Sequence, residues 1–517
     1  MGEPTADPAP GGSASPGPAE LARLAGDAGL CEERRVSAAV ALSFWDGHRE
    51  AGAALLARLA DDTSLAGHTR VDAAAALARV VGHAEDGAER LARLADDSTR
   101  TWPKRRRLLR KWLWLDGFAD DLDRLNAAVA LSAVEGHQEA AAALLTRTAR
   151  DASLNDYLRR SAAATLAGMA AHREDGAALL TRLAQDTTMG HGRIHAARTL
   201  AALDTHREDG AALLTALADD ARLRYARAWA ADYLAALDGH GEAGTSRLVR
   251  LAETPAQSPA ARWWWPTWVH RRVQERVFDD DRGRVWAAAA LARRDESRAL
   301  GAALLVRLAT DPTLHDSRCR LEAAQGLLVL EEHWQTGAEL VCLLVRGTSL
   351  NSDQRRKAAR RLIDTDGCQA AGAALLTELA HDSALKDWER TAAAETLAAS
   401  AGYQEAGVAV LIGLADDSTA GGHLRVLAAK ALCEVDGGRD TGAALLTRLA
   451  EDGALDTHDR VQAARSLGTV DGYRYEALRL LNELHLVVRR EHWDNPVPAS
   501  LVQGYIDRLE EPKAAPY

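Results

Sequence analysis

An arginine followed by a fixed framework, R-x-x-A-A-x-x-L, recurs twelve times along this chain. Successive copies are usually 34–36 residues apart, and two steps are longer, at 54 and 57 residues. A period of this size is typical of stacked helical repeats, in which each unit buries its apolar face against its neighbours. The copies begin at Arg35, Arg70, Arg124, Arg159, Arg193, Arg227, Arg284, Arg320, Arg355, Arg390, Arg425 and Arg460.

One repeat, residues 442–467, reads GAALLTRLAEDGALDTHDRVQAARSL. Leu445 and Leu449 lie at helical spacing in its first half, and Val461 and Ala464 do so in its second half. A polar connection that contains glycine separates the two halves. The sequence therefore predicts an all-α fold, a right-handed α-solenoid of about 12–14 two-helix repeats of ~35 residues.

Small residues mark where the helices of the array are expected to approach each other closely. Two alanines lie three and four places after every framework arginine, as at Ala73 and Ala74, and bulkier side chains there would push the layers apart. A glycine also recurs near the start of the first helix, for example Gly52 and Gly407. A further glycine after the second helix, as at Gly47, is predicted to adopt the left-handed conformation.

The framework arginine has an acidic companion in its own repeat, usually seven to nine residues before it. Asp151 precedes Arg159 by eight residues, and Asp186 precedes Arg193 by seven. We expect this carboxylate, at the end of the first helix, to reach the guanidinium that opens the second helix. Stacked pairs would make the framework arginines a structural ladder along the array, and each exposed pair would contribute roughly 0–1 kcal/mol.

The pattern R-V-x-A-A-x-A-L, the L-D-G turn and the stretch A-A-L-L-x-x-L-A-D-D resemble HEAT-like repeats, in particular the short bacterial, phycobilin-lyase-like kind. The resemblance covers residues 19–482. It implies the fold more than the function, because that family includes scaffolds, regulators and a few enzymes. Similar arrays form the sensor halves of bacterial signalling NTPases, but this chain contains no G-x-x-x-x-G-K-[ST] motif.

The two long steps predict defects in the array. Counting one period past the preceding framework leads to Arg105 and Arg262, where the alanine pair is absent. We expect degenerate half-repeats near 98–123 and 254–283, each followed by a shortened first helix, and Pro266 should break or kink its helix. The domain prediction is a flexible leader over 1–18, the solenoid over 19–482 and a capping segment over 483–517.

Tryptophan is concentrated in the two long steps and beside the second of them. Trp229 and Trp286 each follow a framework arginine by two places, so we expect them on one face of adjacent second helices, the face that lines the concave surface of such arrays. Tryptophan either fills volume where alanine packing fails or forms a recognition groove, because Trp and Arg dominate binding hot spots. The candidate binding residues are Tyr225, Trp229, Tyr233, Trp263, Trp264, Trp265, Trp268 and Trp286.

The charge balance argues against a general nucleic-acid surface. The net charge is −11, and an acidic surface repels phosphate backbones. The exception is a secondary basic patch formed by Lys104, Arg105, Arg106, Arg107, Arg110 and Lys111.

Cysteine usage and hydropathy predict a cytoplasmic location. The five cysteines are scattered without a C-x-x-C pair, which indicates reduced thiols. No stretch approaches the roughly 18 apolar residues of a membrane span. The first residues also lack the basic start and apolar run of a signal peptide.

Sequence motifs of catalysis and metal binding are absent: there is no H-E-x-x-H, C-x-x-C, G-x-S-x-G or EF-hand pattern. His-x-Glu recurs at six repeat junctions, from His48/Glu50 to His240/Glu242. Neighbouring copies should lie about 10 Å apart, too far to share one ion, so a junction role is preferred to a metal site. We expect no catalytic activity, no cofactor and no metal.

The leading hypothesis is a non-enzymatic scaffold or regulatory adaptor that binds a protein or peptide on its concave face. A nucleic-acid role like that of HEAT-like DNA glycosylases is an alternative, and only the basic patch matches their charge. A sensor module that works with a separately encoded signalling or defence effector is another. A lyase or chaperone for a chromophore-bearing protein rests on the family resemblance alone.

Overall fold

The structure is a computed structural model that describes residues 16–96, 116–254, 267–314, 316–491 and 497–510. All regular secondary structure within these residues is helical. The chain divides into two compact units, residues 1–247 and 248–517. Each unit is a stack of helical hairpins.

The helices alternate along the chain between the first and the second helix of a repeat, and the second helix carries the framework arginine. The first unit contains α1 (Pro18–Gly26), α2 (Glu32–Ser43), α3 (Arg49–Asp61), α4 (Gly67–Ala78), α5 (Ala84–Asp96), α6 (Asp116–Ser132), α7 (Gln138–Arg150), α8 (Asp156–Gly168), α9 (Arg173–Gln185), α10 (Gly192–Ala201), α11 (Arg207–Asp219) and α12 (Ala226–Ala235). The next helix, α13 (Gly241–Glu253), begins in the first unit and ends in the second.

The second unit continues the alternation and ends in a hairpin without a framework arginine. It contains α14 (Thr267–Ala292), α15 (Arg298–Thr310), α16 (Ser317–Leu327), α17 (Trp334–Arg346), α18 (Ser352–Ile363), α19 (Gln369–His381), α20 (Asp387–Ala398), α21 (Gln404–Asp416), α22 (Gly422–Glu434), α23 (Arg439–Glu451), α24 (Thr457–Leu467), α25 (Arg474–Glu491) and α26 (Val497–Glu510).

Within each unit, the two helices of a repeat pack as a hairpin, and helices of the same kind stack on one another. For example, α8 packs against α7 and α9 and also against α10. The framework alanines Ala162 and Ala163 are fully buried, as is Leu166 one turn later. The core is therefore a thin apolar layer between first and second helices, and the predicted α-solenoid of two-helix repeats is confirmed.

Glycine sets the spacing between successive repeats, as the sequence predicts. A Cβ atom at Gly52, near the start of α3, would lie 2.4 Å from the backbone nitrogen of Ser43 at the end of α2. At Gly407 on α21, the same atom would lie 2.2 Å from the backbone nitrogen of Ala398. Neither contact is sterically possible, so each first helix can approach the preceding second helix only where its side chain is a hydrogen. Gly47, in the turn between α2 and α3, has a φ of 77°, the predicted left-handed conformation.

The framework arginine joins three segments of the stack. The Nε atom of Arg425 donates to the carbonyl oxygen of Ala415, 3.1 Å away at the end of its own first helix. Its Nη1 atom lies 3.5 Å from Oδ2 of Asp452, which belongs to the next repeat. The same carboxylate accepts a hydrogen bond through Oδ1 from the backbone nitrogen of Ala454. One arginine thus ties its hairpin together and joins it to the following layer.

The arginine–aspartate pairing predicted within one repeat is wrong. In five ion pairs the aspartate lies in the following repeat, 27 residues after the arginine, and Arg124 and Arg284 also pair with an aspartate three residues before them. The reason is geometric: the Nε bond to the first helix turns the Nη atoms toward the next layer, and the aspartate of the same repeat uses Oδ1 to close its own turn. The pairs are Arg159–Asp186, Arg193–Asp220, Arg284–Asp311, Arg355–Asp382 and Arg425–Asp452.

These hydrogen bonds lower the pKa of two of the aspartates, Asp186 and Asp220. Hydrogen bonds from Thr188 and from Arg159 hold the pKa of Asp186 below its ordinary value, against the opposing effect of burial. The pKa of Asp220 is also lowered: burial opposes the shift, and the hydrogen bonds from Arg222 and Arg193 outweigh it. The charged form of each carboxylate is therefore the one that the stack stabilises.

Arg320 shows what happens where the ladder has no acidic partner. The residue 27 places after it is Gly347, not an aspartate. Within the described part of the chain, the buried Nε atom of Arg320 has no hydrogen-bond partner. The framework position can therefore be occupied by arginine without its usual bonds.

The extra residues of the two long steps lie between the first and second helices of a single repeat. Helix α5 packs against α6, so segment 97–115 separates the two helices of one hairpin. In the second case, Nε of Arg284 donates to the carbonyl oxygen of Ala252, 3.3 Å away at the end of α13. The segment between these residues therefore separates the helices of the α13–α14 hairpin.

The shortened first helix expected before Arg284 is not a separate element. Residues 267–292 form one continuous helix, α14, because no proline interrupts them and the framework can extend its helix toward the N-terminus. Helix α6 likewise begins at Asp116, ahead of Arg124. Pro266 lies outside the described residues.

The last hairpin packs on the end of the second unit. The guanidinium of Arg465, on α24, lies 4.5 Å from the ring centroid of Tyr505, on α26. The side chain of Arg474 donates to the carbonyl oxygen of Leu509. The predicted capping segment, 483–517, thus begins inside α25 and includes α26. None of the described helices is long and apolar enough to cross a bilayer.

Candidate functional site

Five aromatic and imidazole rings cluster on the second helices α10 and α12 of the first unit and at the residues that precede them. The ring centroid of Trp229 lies 5.5 Å from that of Tyr225 and 5.9 Å from that of His191, both in edge-to-face geometry. His195 lies 6.2 Å from Trp229 and 6.0 Å from Tyr233. These separations and angles are those of favourable aromatic contacts.

Arginines extend this surface on both sides. The guanidinium of Arg198, on α10, lies 4.5 Å from the ring centroid of Tyr233. On α8, Arg160 lies 5.5 Å from the ring centroid of Tyr157. Both distances fall within the range of cation–π attraction. The surface is called the aromatic face here, and its residues are Tyr157, Arg160, His191, His195, Arg198, Tyr225, Trp229 and Tyr233.

The repeat register explains why these side chains share a face. His195 and Trp229 each lie two places after a framework arginine, and His191 and Tyr225 each lie two places before one. Equivalent positions of stacked second helices point in the same direction. The small framework residues beside them, such as Ala196 and Ala230, are fully buried, so the larger side chains between them are directed outward.

Sequence reasoning found Tyr225, Trp229 and Tyr233 of this surface. It missed Tyr157, Arg160, His191, His195 and Arg198, because the search followed the tryptophan-rich segments and the two earlier repeats carry no tryptophan at these positions. The signal was available: 34 residues separate His195 from Trp229, and the same number separates His191 from Tyr225.

The electrostatic environment of His195 is positive. Partial burial lowers the pKa of its imidazole from the ordinary value, and the charges of Arg160, His191 and Arg198 lower it further. The neutral imidazole is therefore favoured at neutral pH. A ring in this state presents one donor and one acceptor between two fixed cations.

Backbone strain occurs immediately before Tyr225. Arg224 has a φ of 48°, a conformation that costs a residue with a side chain about 1–3 kcal/mol. The corresponding position of the preceding repeat is Gly190, with a φ of 51°. The carbonyl oxygen of Arg224 accepts a bond from Nε of Arg227, 3.1 Å away, in place of the usual bond to the first helix.

The other predicted binding residues belong to the second unit or lie outside the described residues. Trp286 is half-buried on α14, in the second unit. Trp268 lies in the first turn of the same helix. Trp263, Trp264 and Trp265 lie outside the described residues, as does the whole basic patch Lys104, Arg105, Arg106, Arg107, Arg110 and Lys111.

The His-x-Glu motifs form a line of contacts between repeats of the first unit. Each histidine lies beside the glutamate of the preceding repeat, and the histidine side chains are 13–24% exposed. The pairs are His83–Glu50, His137–Glu85, His172–Glu139, His206–Glu174 and His240–Glu208, at 3.0–3.4 Å. Among the residues that the structure describes, no group of three or more histidine, cysteine or acidic side chains could hold a metal ion.

A cavity of about 400 Å³ lies among the first repeats of the first unit, lined by arginine and aspartate side chains. Its lining includes one ion pair, in which Nη2 of Arg90 lies 2.9 Å from Oδ2 of Asp61. The aromatic face combines apolar rings with two arginines that form no ion pair among the described residues, so it is the better candidate.

Comparison with known proteins finds no matching family model and no matching curated protein. Solved structures that are similar include Kap121p bound to Nup53p, at 12% identity and a TM-score of 0.34, with 95% of this chain and 52% of that chain covered. Yeast importin-beta (Kap95p) is similar at 10% identity and a TM-score of 0.33, covering 95% of this chain and 68% of that chain. The chain thus spans about half the length of the Kap121p chain, and the likeness extends no further than helical-repeat architecture.

Proposed function

We propose that this protein is a non-enzymatic scaffold or regulatory adaptor that binds a protein or peptide segment on the aromatic face of its first unit. Tyr225, Trp229 and Tyr233 are its anchoring residues. Trp286, on the second unit, is an independent candidate anchor. The finer assignments, namely a phycobilin-lyase-like subtype, bacterial origin and a cytoplasmic location, remain predictions from the sequence.

The clustering around Trp229 is the observation that carries this proposal. A tryptophan needed only to fill volume would be surrounded by core aliphatic side chains. Trp229 is instead half-buried and ringed by polar-tipped aromatic groups on neighbouring helices. Rigid aromatic side chains with a polar handle are those that dominate interface hot spots, because they bury a large area at small entropic cost.

Strain at Arg224 supports the same surface. A protein tolerates a residue in a disfavoured backbone conformation where the surrounding structure holds it, and such residues cluster at binding sites. Here the strained residue directly precedes the anchoring Tyr225. No equivalent support exists for catalysis, because no constellation of nucleophile, base and oxyanion donor accompanies these rings in the described residues.

The proposal is tested by selecting peptides from a random displayed library on the full-length protein. We expect clones whose affinity falls by about 30-fold or more in Trp229→Ala, the effect of truncating a hot-spot tryptophan. Trp388→Ala is the matched control, because Trp388 is 57% exposed on α20 of the second unit. Clones that bind wild type, Trp229→Ala and Trp388→Ala equally would refute binding at this face.

A further inference from the structure

The guanidinium groups of the aromatic face carry positive charge that no carboxylate of the described residues neutralises. Arg160 and Arg198 each stack on a tyrosine ring, and neither forms an ion pair within the described chain. On the second helix α18, by contrast, Arg356 lies 2.8 Å from Oδ1 of Asp353. The aromatic face therefore presents two cations for which the described chain supplies no carboxylate partner.

Acidic side chains of the same repeats are paired with other arginines or are half-buried. Asp186 and Asp220 are bound by framework arginines, Arg159 and Arg193. Asp156, at the start of α8, is half-buried, and burial raises the pKa of its carboxyl group despite the nearby charges of Arg159 and His191. Asp232, on α12, is also half-buried and makes interactions of its own.

The imidazole of His195 lies close enough to these positive charges for its pKa to respond to them. It contacts the rings of Trp229 and Tyr233, and the two guanidiniums flank it from α8 and α10. The depressed pKa of its imidazole has two causes, burial and the surrounding positive charge. An anionic group placed beside this ring would remove the second cause and would also favour the protonated, doubly donating form.

We propose that the aromatic face recognises an acidic peptide segment of a partner protein. Its carboxylates would lie against Arg160 and Arg198, and one apolar side chain would pack on Trp229. Guanidinium groups match carboxylates in a planar, bidentate geometry. Because the chain as a whole has a net charge of −11, a positive surface that recruits an acidic ligand is selective as well as attractive.

A single-stranded nucleic acid fits the same surface less well. Stacking platforms for bases are accompanied by a basic groove that follows many phosphates. The aromatic face offers two arginines and two histidines, enough for a short acidic motif and too few for an extended phosphate backbone. The acidic peptide is therefore the occupant that the charges favour.

This inference depends on the proposed function, and the peptide selection separates the two. Clones that depend on Trp229 establish the binding face. If the inference is correct, these clones are enriched in Asp and Glu beside an apolar residue, and replacing each acid by its amide weakens binding by about 10-fold or more. Neutral or basic clones that still depend on Trp229 would overturn the acidic specificity and leave the binding face intact.

A second experiment tests the acidic specificity by removing positive charges from the protein. The double variant Arg160→Gln, Arg198→Gln should lose about 10-fold in affinity for an acidic clone and should show a weaker salt dependence. Arg182→Gln, an exposed arginine on α9, is the matched control and should bind like wild type. An unchanged thermal midpoint of the double variant shows that it is folded. Binding of a short oligothymidylate that depends on Arg160 and Arg198, without acidic clones, would overturn the inference in favour of nucleic acid.

Discussion

Two surfaces of this protein, one on α8, α10 and α12 and the other on α18 and α20, share the repeat framework but differ in how their arginines are bonded. On the aromatic face of the first unit, Arg160 and Arg198 stack on tyrosines and meet no carboxylate in the described chain. On α18 and α20 of the second unit, Arg356 donates to Thr396 at 3.0 Å and Arg360 donates to Ser400 at 2.8 Å. The arginines of the second surface are bonded within the protein, and those of the first make only ring contacts among the described residues.

The difference originates in a few positions of the repeat. The framework arginine, the alanine pair and the leucine are the same in both surfaces and fix the layer spacing. Two places after the arginine, α10 and α12 carry His195 and Trp229, whereas α18 and α20 carry Lys357 and Ala392. Five places after it, α10 and α18 both carry an arginine. The ring-bearing positions therefore differ between the two surfaces while the positions that set the layer spacing do not.

The largest expected effect concerns the layer contact beneath the aromatic face. In Gly210→Ala, the new Cβ atom would lie 2.3 Å from the backbone nitrogen of Ala201, so α10 and α11 must separate. We expect a loss of about 3 kcal/mol or more in the free energy of unfolding. Gly413→Ala is the control, because nothing lies within 4 Å of its Cβ position, and it should stabilise by about 0.5–1 kcal/mol. Chemical denaturation measures the stability of both variants. Equal effects would show that α10 and α11 are not in close contact at Gly210.

The ladder should be strong where it is complete and weak where it is broken. In Arg193→Met, two hydrogen bonds of 2.9 Å are lost, to the carbonyl oxygen of Ala184 and to Asp220, and we expect a cost of about 2–3 kcal/mol. Arg320→Met removes an arginine whose Nε atom has no partner in the described structure, so its cost should be about 0–1 kcal/mol. Chemical denaturation of both variants tests the difference, and a larger loss in Arg320→Met would refute the cross-layer role.

The two surfaces should respond differently to the loss of one arginine. Arg360→Ala removes bonds to Ser400 and Asp364, and we expect about 2 kcal/mol of destabilisation with no effect on peptide binding. Arg198→Ala removes only a stacking contact, so it should cost about 0.5 kcal/mol in stability and weaken binding. Thermal unfolding and titration with a selected peptide measure both quantities. The reverse pattern would assign the binding role to the second unit.

Relief of backbone strain should stabilise the first unit slightly. Arg224→Gly permits the φ of 48° without a side-chain penalty, and we expect a gain of about 1 kcal/mol. The substitution also removes a cation near Tyr225, so peptide affinity should fall while stability rises. A loss of stability would mean that the Arg224 side chain contributes more than its conformation costs.

The smallest effect is a pH dependence at His195. Because the folded-state pKa is lowered, the unfolded chain binds the proton more readily, and stability falls as the pH drops through the unfolded-state pKa of about 6.5. Replacing His195 by Gln should remove this contribution. The measurement is the thermal midpoint of both proteins between neutral and mildly acidic pH. A wild-type protein that is no more sensitive than the variant would contradict the positive environment assigned to His195.

The fold was predictable because the period is repeated so often. Twelve copies of one framework define the helix pair, the buried alanine and leucine positions and the glycine contacts. The ion-pair partner was not predictable, because Asp151 and Asp186 are both compatible with Arg159 in sequence distance. The hydrogen bond from Nε of Arg159 to the carbonyl oxygen of Ala149 decides between the two aspartates, because it directs the guanidinium toward the next repeat. This direction is defined only once the helices have packed.

The two long steps of the repeat also show that sequence spacing alone does not determine the packing. Counting a constant period through them predicts a partial repeat, whereas the bond from Arg284 to Ala252 places the extra residues inside one hairpin. A helix can lengthen without disturbing the stack, and periodicity alone does not distinguish such growth from a missing half-repeat. Part of the aromatic face was predictable: Trp229 stood out by residue type, and His195 could have been found from its position one period before Trp229, which the contact between the two rings reflects.

Hydrogen–deuterium exchange of the full-length protein with a selected peptide tests most directly whether the two second-helix surfaces differ in this way. We expect protection on peptide binding in α8, α10 and α12, around His195 and Trp229, and no change in α18 and α20. Protection confined to α18 and α20, or to first helices, would show that the aromatic face is not where this protein meets its partner.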